Sequence, residues 1–123
     1  MNKRILIIED EEILLNLIKK KLIDNGYEVL TAMNGKDGFD LIKQENPDLV
    51  LLDVIMPILD GFEVMESMNK TSDFNLKNIP VIIISNSGQP IEIDRAIKMG
   101  VKDYLIKTTF DPTEILEKVN KHI

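Results

Sequence analysis

Cysteine is absent from the 123 residues, which excludes a disulfide framework and a thiolate metal centre. That suits a cytoplasmic protein. No stretch approaches the roughly 20 consecutive apolar residues that a membrane-spanning helix requires, so no membrane partner is expected. A secretory leader is not expected either: Met1-Asn2-Lys3-Arg4 is basic, but the apolar run from Ile5 to Ile8 stops at Glu9-Asp10-Glu11-Glu12. Basic residues are outnumbered, 15 against 21 acidic, for a net charge of −6. A nucleic-acid surface needs a basic patch, so DNA contact is expected only through another chain or domain. The one histidine, His122, falls at the end of the last helix, where helix-end electrostatics account for it and no role is expected. What is present is ordinary: 44% hydrophobic and 29% charged residues, in a length that suits one domain with a real core.

The stretch Leu49-Val50-Leu51-Leu52-Asp53 sets the frame for the rest. Four apolar residues in a row, entered from Pro47-Asp48, predict a strand buried on both faces, as in parallel sheets covered by helices. The run ends on a carboxylate. Arg4 to Ile8 is a second such run, ending at Glu9-Asp10. From Glu12 to Asn25 the residues Leu14, Leu17, Ile18 and Leu22 recur at helical spacing and predict an amphipathic helix, stopped by Asn25-Gly26. Tyr27 to Met33 predicts a strand of mixed polarity at or near an edge, and Asn34-Gly35 turns the chain into a helix over Lys36 to Glu45.

Beyond Asp53 come a loop through Pro57 to Gly61, a helix from Phe62 to Asn69, and a polar stretch, Lys70 to Asn78, without apolar periodicity and expected to be mobile. Val81 to Ile84 predicts another buried strand, ending on Ser85-Asn86-Ser87-Gly88. A helix over Ile91 to Met99 is expected to bury Ile93, Ala96 and Ile97 and to stop at Gly100. Tyr104-Leu105-Ile106 predicts the last strand, ending on Lys107, and Asp111-Pro112-Thr113-Glu114 opens a closing helix that carries Ile115, Leu116 and Val119. Five strands alternating with five helices predict an α/β fold: a doubly wound five-stranded parallel sheet, strand order 2-1-3-4-5, flanked by five helices. No repeat or interdomain linker interrupts it, so residues 1–123 read as a single domain.

In that topology Glu9, Asp10, Asp53, Ser85 and Lys107 converge on the crevice at the carboxyl ends of the strands, where such folds bind ligands. Close carboxylates repel by roughly 4 kcal/mol per pair at 4 Å and an effective dielectric of about 20, unless one is protonated or a cation binds. An oxygen-only set without cysteine or histidine points to Mg²⁺. Glu11 and Glu12 are expected to belong to a solvated loop. A carboxylate such as Asp53 can act as a nucleophile toward a phosphoryl group. The Ser85 hydroxyl and Lys107 ammonium then neutralise and hold the phosphoryl oxygens beside Mg²⁺. No residue of the set is an evident base for activating water, so the phosphorylated state is expected to persist, as in a switch.

From Arg4 to the final helix the sequence resembles the receiver domain of bacterial two-component response regulators. The resemblance rests on Glu9-Asp10, on Leu51-Leu52-Asp53-Val54-Ile55-Met56-Pro57 followed by Asp60-Gly61, on Ser85, and on Asp103-Tyr104-Leu105-Ile106-Lys107. It implies that Asp53 accepts phosphate from a histidine kinase or histidine phosphotransfer protein, in a phosphorelay, forming an aspartyl phosphate. It implies that Glu9, Asp10, Asp53 and the Ile55 backbone carbonyl hold Mg²⁺, that Ser85 and Lys107 read the phosphoryl group, and that Tyr104 changes rotamer as Ser85 moves. Such a domain is not an enzyme beyond self-phosphorylation from small donors and slow self-dephosphorylation. Its readout face, formed by the helix over Ile91–Met99, the last strand and the closing helix, includes Ile91, Arg95, Lys98, Met99 and Lys102 and is offered to a downstream protein target. Phosphorylation-dependent homodimerisation through this face is left open.

Three residues depart from the family's pattern. Lys107 is followed by Thr108-Thr109-Phe110 where the family usually has proline, which puts the aim of Lys107 in question. Asn86 is bulkier than the usual small residue, and Ile55 offers an attacking water nothing, so slow dephosphorylation is expected. The rivals are a receiver-like interaction module that does not use phosphate and, with less support, an aspartyl-phosphate phosphohydrolase. The latter normally wants a second carboxylate where Ile55 stands. A flavin module is disfavoured by the acidic Glu9 to Glu12 loop.

Overall fold

The computed structural model describes residues 2–56, 58–86, 88–108 and 111–123, without the Phe74 side chain. Pro57, Ser87, Thr109 and Phe110, named in the sequence motifs, lie outside the described residues. Along the chain run β1 (Arg4–Ile8), α1 (Glu12–Asp24), β2 (Glu28–Ala32), α2 (Gly35–Glu45), β3 (Leu49–Asp53) and α3 (Gly61–Lys70). They are followed by α4 (Phe74–Lys77), β4 (Val81–Ser85), α5 (Pro90–Lys98), β5 (Asp103–Ile106) and α6 (Pro112–His122). Every strand pairing is parallel, in the order β2-β1-β3-β4-β5. That is the expected 2-1-3-4-5 sheet, with β2 on an edge.

Alternation along the strands sorts the core into two layers, because successive side chains point to opposite faces. Leu6, Ile8, Val50, Leu52, Val81 and Ile83 pack under α2, α3 and α5. On the opposite face Ile5, Ile7, Leu49, Leu51, Ile82, Ile84 and Leu105 pack under α1 and α6. β3 is buried at all five positions, as a central strand covered on both faces must be.

Three expectations are corrected. The flanking helices number six among the described residues, not five: the polar stretch from Lys70 to Asn78, where no helix is expected, holds the single turn α4, capped by Asp73, whose side chain accepts from the Asn75 amide at 2.9 Å. One turn is too short to show a period; Leu76 anchors it in the core. On α1 the buried seam is Leu15, Ile18 and Leu22, with Leu17 at 53% exposure. On α5 Ala96 is buried and Ile93 half-buried, but Ile97 is 59% exposed.

Asp111 caps the closing helix as the sequence predicts, and α2 and α3 carry side-chain caps as well. Asn34 accepts from the Asp37 amide at 2.8 Å, Asp60 and Glu63 form a reciprocal capping box, and Asp111 accepts from the Glu114 amide at 3.0 Å. Gly61 opens α3 against the end of β3, its amide donating to the Val54 carbonyl at 2.8 Å. A Cβ there would stand 2.4 Å from the Asp53 carbonyl oxygen, so only glycine lets the chain return this closely to the strand end.

Candidate functional site

β1 and β3 are neighbours in register, Ile8 opposite Leu52, so their next residues, Glu9 and Asp53, leave the sheet side by side. Both follow the parity of the α1/α6 face, and so does Lys107 after Leu105 on β5. The three side chains meet. Lys107 Nζ stands 2.8 Å from Glu9 Oε1 and 3.1 Å from Asp53 Oδ2, with all three side chains at 6% exposure or less. The lysine backbone is fixed as well, its amide donating to the Ser85 carbonyl at 2.7 Å. Despite the Lys107-Thr108 junction, the lysine therefore aims into the crevice.

Glu9 is wholly buried, and its Oε2 accepts from the Glu11 amide at 3.0 Å. Its Oε1 pairs with the Lys107 ammonium at 2.8 Å. Oxygen atoms of Glu9, Asp10 and Asp53 lie within 4.8 Å of one another, Asp10 on the exposed side. Three convergent carboxylates, with no sulfur or imidazole among them, are a hard-oxygen donor set that fits a divalent cation such as Mg²⁺.

The electrostatics follow from that crowding. Burial, and then the charge of Glu9, push the Asp53 carboxyl up to about 8, against the pull of Lys107. Burial works against the Lys107 ammonium too, but Glu9 and Asp53 outweigh it and hold the lysine above its ordinary value. Without a cation, one ammonium is thus shared between two carboxylates that prefer not to be ionised together.

The other expected residues lie around this centre. Ser85 is buried at the end of β4, one step beyond Ile84, the register partner of Asp53. Ile55, two residues past the end of β3, is 70% exposed. Tyr104 is half-buried on β5 beside Ile83 and packs against the core layer under α5. Asn86 is exposed and, with Lys107, Glu11, Ile13 and Leu17, lines a cavity of about 720 Å³ at the mouth of the crevice.

On the expected readout face, Ile91, Arg95, Lys98 and Met99 line a groove of about 570 Å³, and Lys102 borders a second cavity beside Tyr104. Arg95 is not simply solvated, since its guanidinium lies 4.0 Å from the centre of the Phe62 ring.

Two contacts were not readable from the sequence. Glu11, expected in a solvated loop, places Oε1 3.5 Å from Lys107 Nζ while remaining 55% exposed. His122, expected to have no role, has Nε2 3.0 Å from Asp103 Oδ2, which Lys118 also approaches at 3.2 Å. Neither pair is close in the chain, and no local pattern announces either.

Comparison with known proteins agrees with this architecture. Residues 5–120 match the family model described as the response regulator receiver domain. The alkaline phosphatase synthesis transcriptional regulatory protein PhoP of Bacillus subtilis is 32% identical over 97% of this chain and 48% of its own length. The receiver domain of the Francisella response regulator 1452 superposes with a TM-score of 0.88 at 32% identity, covering 98% of this chain and 95% of that one. The receiver domain of the sensor histidine kinase PA1611 of Pseudomonas aeruginosa, solved with magnesium coordinated in its active-site cleft, shares the fold at a TM-score of 0.87 and 22% identity. That likeness covers 99% of this chain and 98% of the other. The chain spans about half the length of the curated relatives it matches. With the family model covering nearly all of it, the chain belongs to the response regulator receiver domain family of two-component signalling.

Proposed function

We propose that residues 1–123 form one receiver domain and act as the phosphorylation switch of a two-component phosphorelay, with Asp53 as the phosphoacceptor. The convergence of Glu9, Asp10 and Asp53 on one point, with the Lys107 ammonium against two of them, carries this reading. Glu9, Asp10, Asp53 and the Ile55 carbonyl hold Mg²⁺. When bound, the cation neutralises the developing charge on the phosphoryl oxygens. An Asp53 carboxylate oxygen attacks the phosphorus of a phosphohistidine; the new O–P bond forms as the N–P bond breaks, and the departing imidazole keeps the electron pair. Lys107 is freed to hold a phosphoryl oxygen with its ammonium, and the Ser85 hydroxyl donates to another.

The donor is a histidine kinase or histidine phosphotransfer protein. Ile13 and Leu17, 80% and 53% exposed on the rim of the cavity that Lys107 lines, support a protein donor seated over the crevice. Phosphorylation shifts Ser85 and Tyr104 and, through them, the face of α5, β5 and α6 that meets a downstream protein target or a second copy of the domain. No direct nucleic-acid contact belongs to this domain. Among the described residues no helix is long and apolar enough to cross a membrane, in keeping with a cytoplasmic relay. Ile55 and the lack of a general base make self-dephosphorylation slow, so the domain is a switch and not a phosphohydrolase.

Intact mass after incubation with Mg²⁺ and acetyl phosphate, beside Asp53→Asn, tests the reading. The expected result is one phosphoryl adduct that requires Mg²⁺ and vanishes in the variant. Mg²⁺ binding without an adduct would point instead to a phosphate-independent interaction module.

A further inference from the structure

We infer that Glu11 is a positioning residue for Lys107: it holds the lysine ammonium at the mouth of the crevice when a divalent cation takes over Glu9 and Asp53. The inference rests on the metal-binding part of the proposed function. Glu9 and Asp53, which are to hold the cation, are the two carboxylates that Lys107 contacts at 2.8 and 3.1 Å. An ammonium and a divalent cation on the same oxygens repel each other, so occupation by the cation must drive Lys107 outward.

The lysine cannot travel far. Its backbone is tied to the Ser85 carbonyl at 2.7 Å, and it directly follows a strand bonded into the sheet. Among the described residues one further carboxylate lies within ion-pair distance of its Nζ, that of Glu11 at 3.5 Å, on the solvent side of the crevice. Glu11 is well placed to receive it. The residue is the N-cap of α1, yet its side chain makes no cap hydrogen bond. Its backbone is anchored, the amide bonded to Glu9 Oε2 at 3.0 Å and the carbonyl accepting from Leu15 at 2.9 Å. A firm backbone with a side chain that caps nothing leaves the carboxylate available to the lysine.

The arrangement solves a problem that a receiver crevice poses. A lysine driven fully into solvent would lose its position for the incoming phosphoryl group and would regain it only at an entropic cost. A half-exposed glutamate is a weak partner by design of its surroundings, since water screens it. It can hold the ammonium near the mouth and release it to a doubly charged phosphoryl group.

The test is a double-mutant cycle on Mg²⁺ affinity, measured by isothermal titration calorimetry on the unphosphorylated protein. The variants are Glu11→Gln, Lys107→Gln and the double variant, each checked for native circular dichroism. With Lys107 present, Glu11→Gln is expected to weaken Mg²⁺ binding about two- to fivefold, because displacing the lysine then has no receiving carboxylate. In the Lys107→Gln background the same substitution is expected to change the affinity less than about 1.5-fold. An equal loss in both backgrounds would assign Glu11 to general electrostatics or to direct metal ligation and overturn the inference. No change in either background overturns it as well. Failure of the unmodified protein to bind Mg²⁺ at all would remove the metal-binding reading itself, and this inference with it.

Discussion

Lys107 Nζ lies 3.1 Å from Asp53 Oδ2 across the strand ends of β5 and β3, with the lysine side chain 6% and the aspartate 4% exposed. The same ammonium is 2.8 Å from Glu9, so one cation balances two buried carboxylates. Removing one partner of a buried pair leaves an uncompensated charge. Lys107→Met is therefore expected to destabilise the cation-free domain by about 3 kcal/mol at pH 8, read by urea unfolding, the lower end of the usual range because Asp53 can take up a proton. Mg²⁺ should restore much of the loss. An unchanged midpoint would mean that Lys107 carries no part of the charge balance.

Asp53 itself sets a pH dependence of the opposite kind from most carboxylates. Its folded value is raised from 3.8 to about 8, so between those limits the native state holds more proton than the unfolded chain. Stability from this group is present below pH 4 and is lost as the pH rises toward 8. Asp53→Asn removes the term. The variant should be more stable than the parent at pH 8 without Mg²⁺, the difference closing as the pH falls to 4. Thermal unfolding of both proteins at several pH values checks this, and a parent that is the more stable at pH 8 contradicts it.

Asp103 works in the ordinary direction. Burial opposes its charge, but His122, the Tyr104 amide and Lys118 hold its carboxyl below the usual value. Its stabilisation is present above pH 4 and lost as the pH falls through the lowered value. Asp103→Asn breaks the tie between β5 and the last turn of α6 and should cost about 1–2 kcal/mol at pH 7. Amides near His122 should exchange faster in the variant, while Mg²⁺ binding at the far end of the strands stays unchanged. Equal exchange in the two proteins would show that the cluster does not fasten the helix.

Much of this was legible in the sequence because apolar runs end abruptly on the residues that matter. Glu9 and Lys107 directly follow, and Asp53 and Ser85 end, strands that apolar runs predict, and parallel pairing carries all four to the carboxyl end of the sheet. Helix faces were less legible. α1 carries apolar residues at Leu14, Leu15, Leu17, Ile18 and Leu22, so several stripes fit the period, and packing on β1 and β3 selected Leu15 over Leu17. α4 has no period to read. The partners of Glu11 and His122 lie 96 and 19 residues away, and only the assembled fold brings them together.

Gly61 offers a test of how closely the loop after β3 must return to Asp53. A Cβ at this position meets the Asp53 carbonyl oxygen at 2.4 Å and Val54 Cα at 2.8 Å, both backbone atoms that cannot turn aside. The amide bond from Gly61 to the Val54 carbonyl must lengthen, or the strand end must move. Gly61→Ala is expected to destabilise the domain by about 1–3 kcal/mol, the usual cost of forcing an extra carbon into packed surroundings. Because the displaced atoms are Asp53's own backbone, Mg²⁺ affinity and the rate of adduct formation from acetyl phosphate should fall together. Gly26→Ala serves as the contrast. Its Cβ meets nothing within 4 Å, and its cost, from a backbone φ of +92°, should appear in stability alone. If Gly61→Ala lowers stability but leaves Mg²⁺ binding and adduct formation intact, the crevice tolerates movement at the end of β3, and the close return of the chain serves packing and not the site.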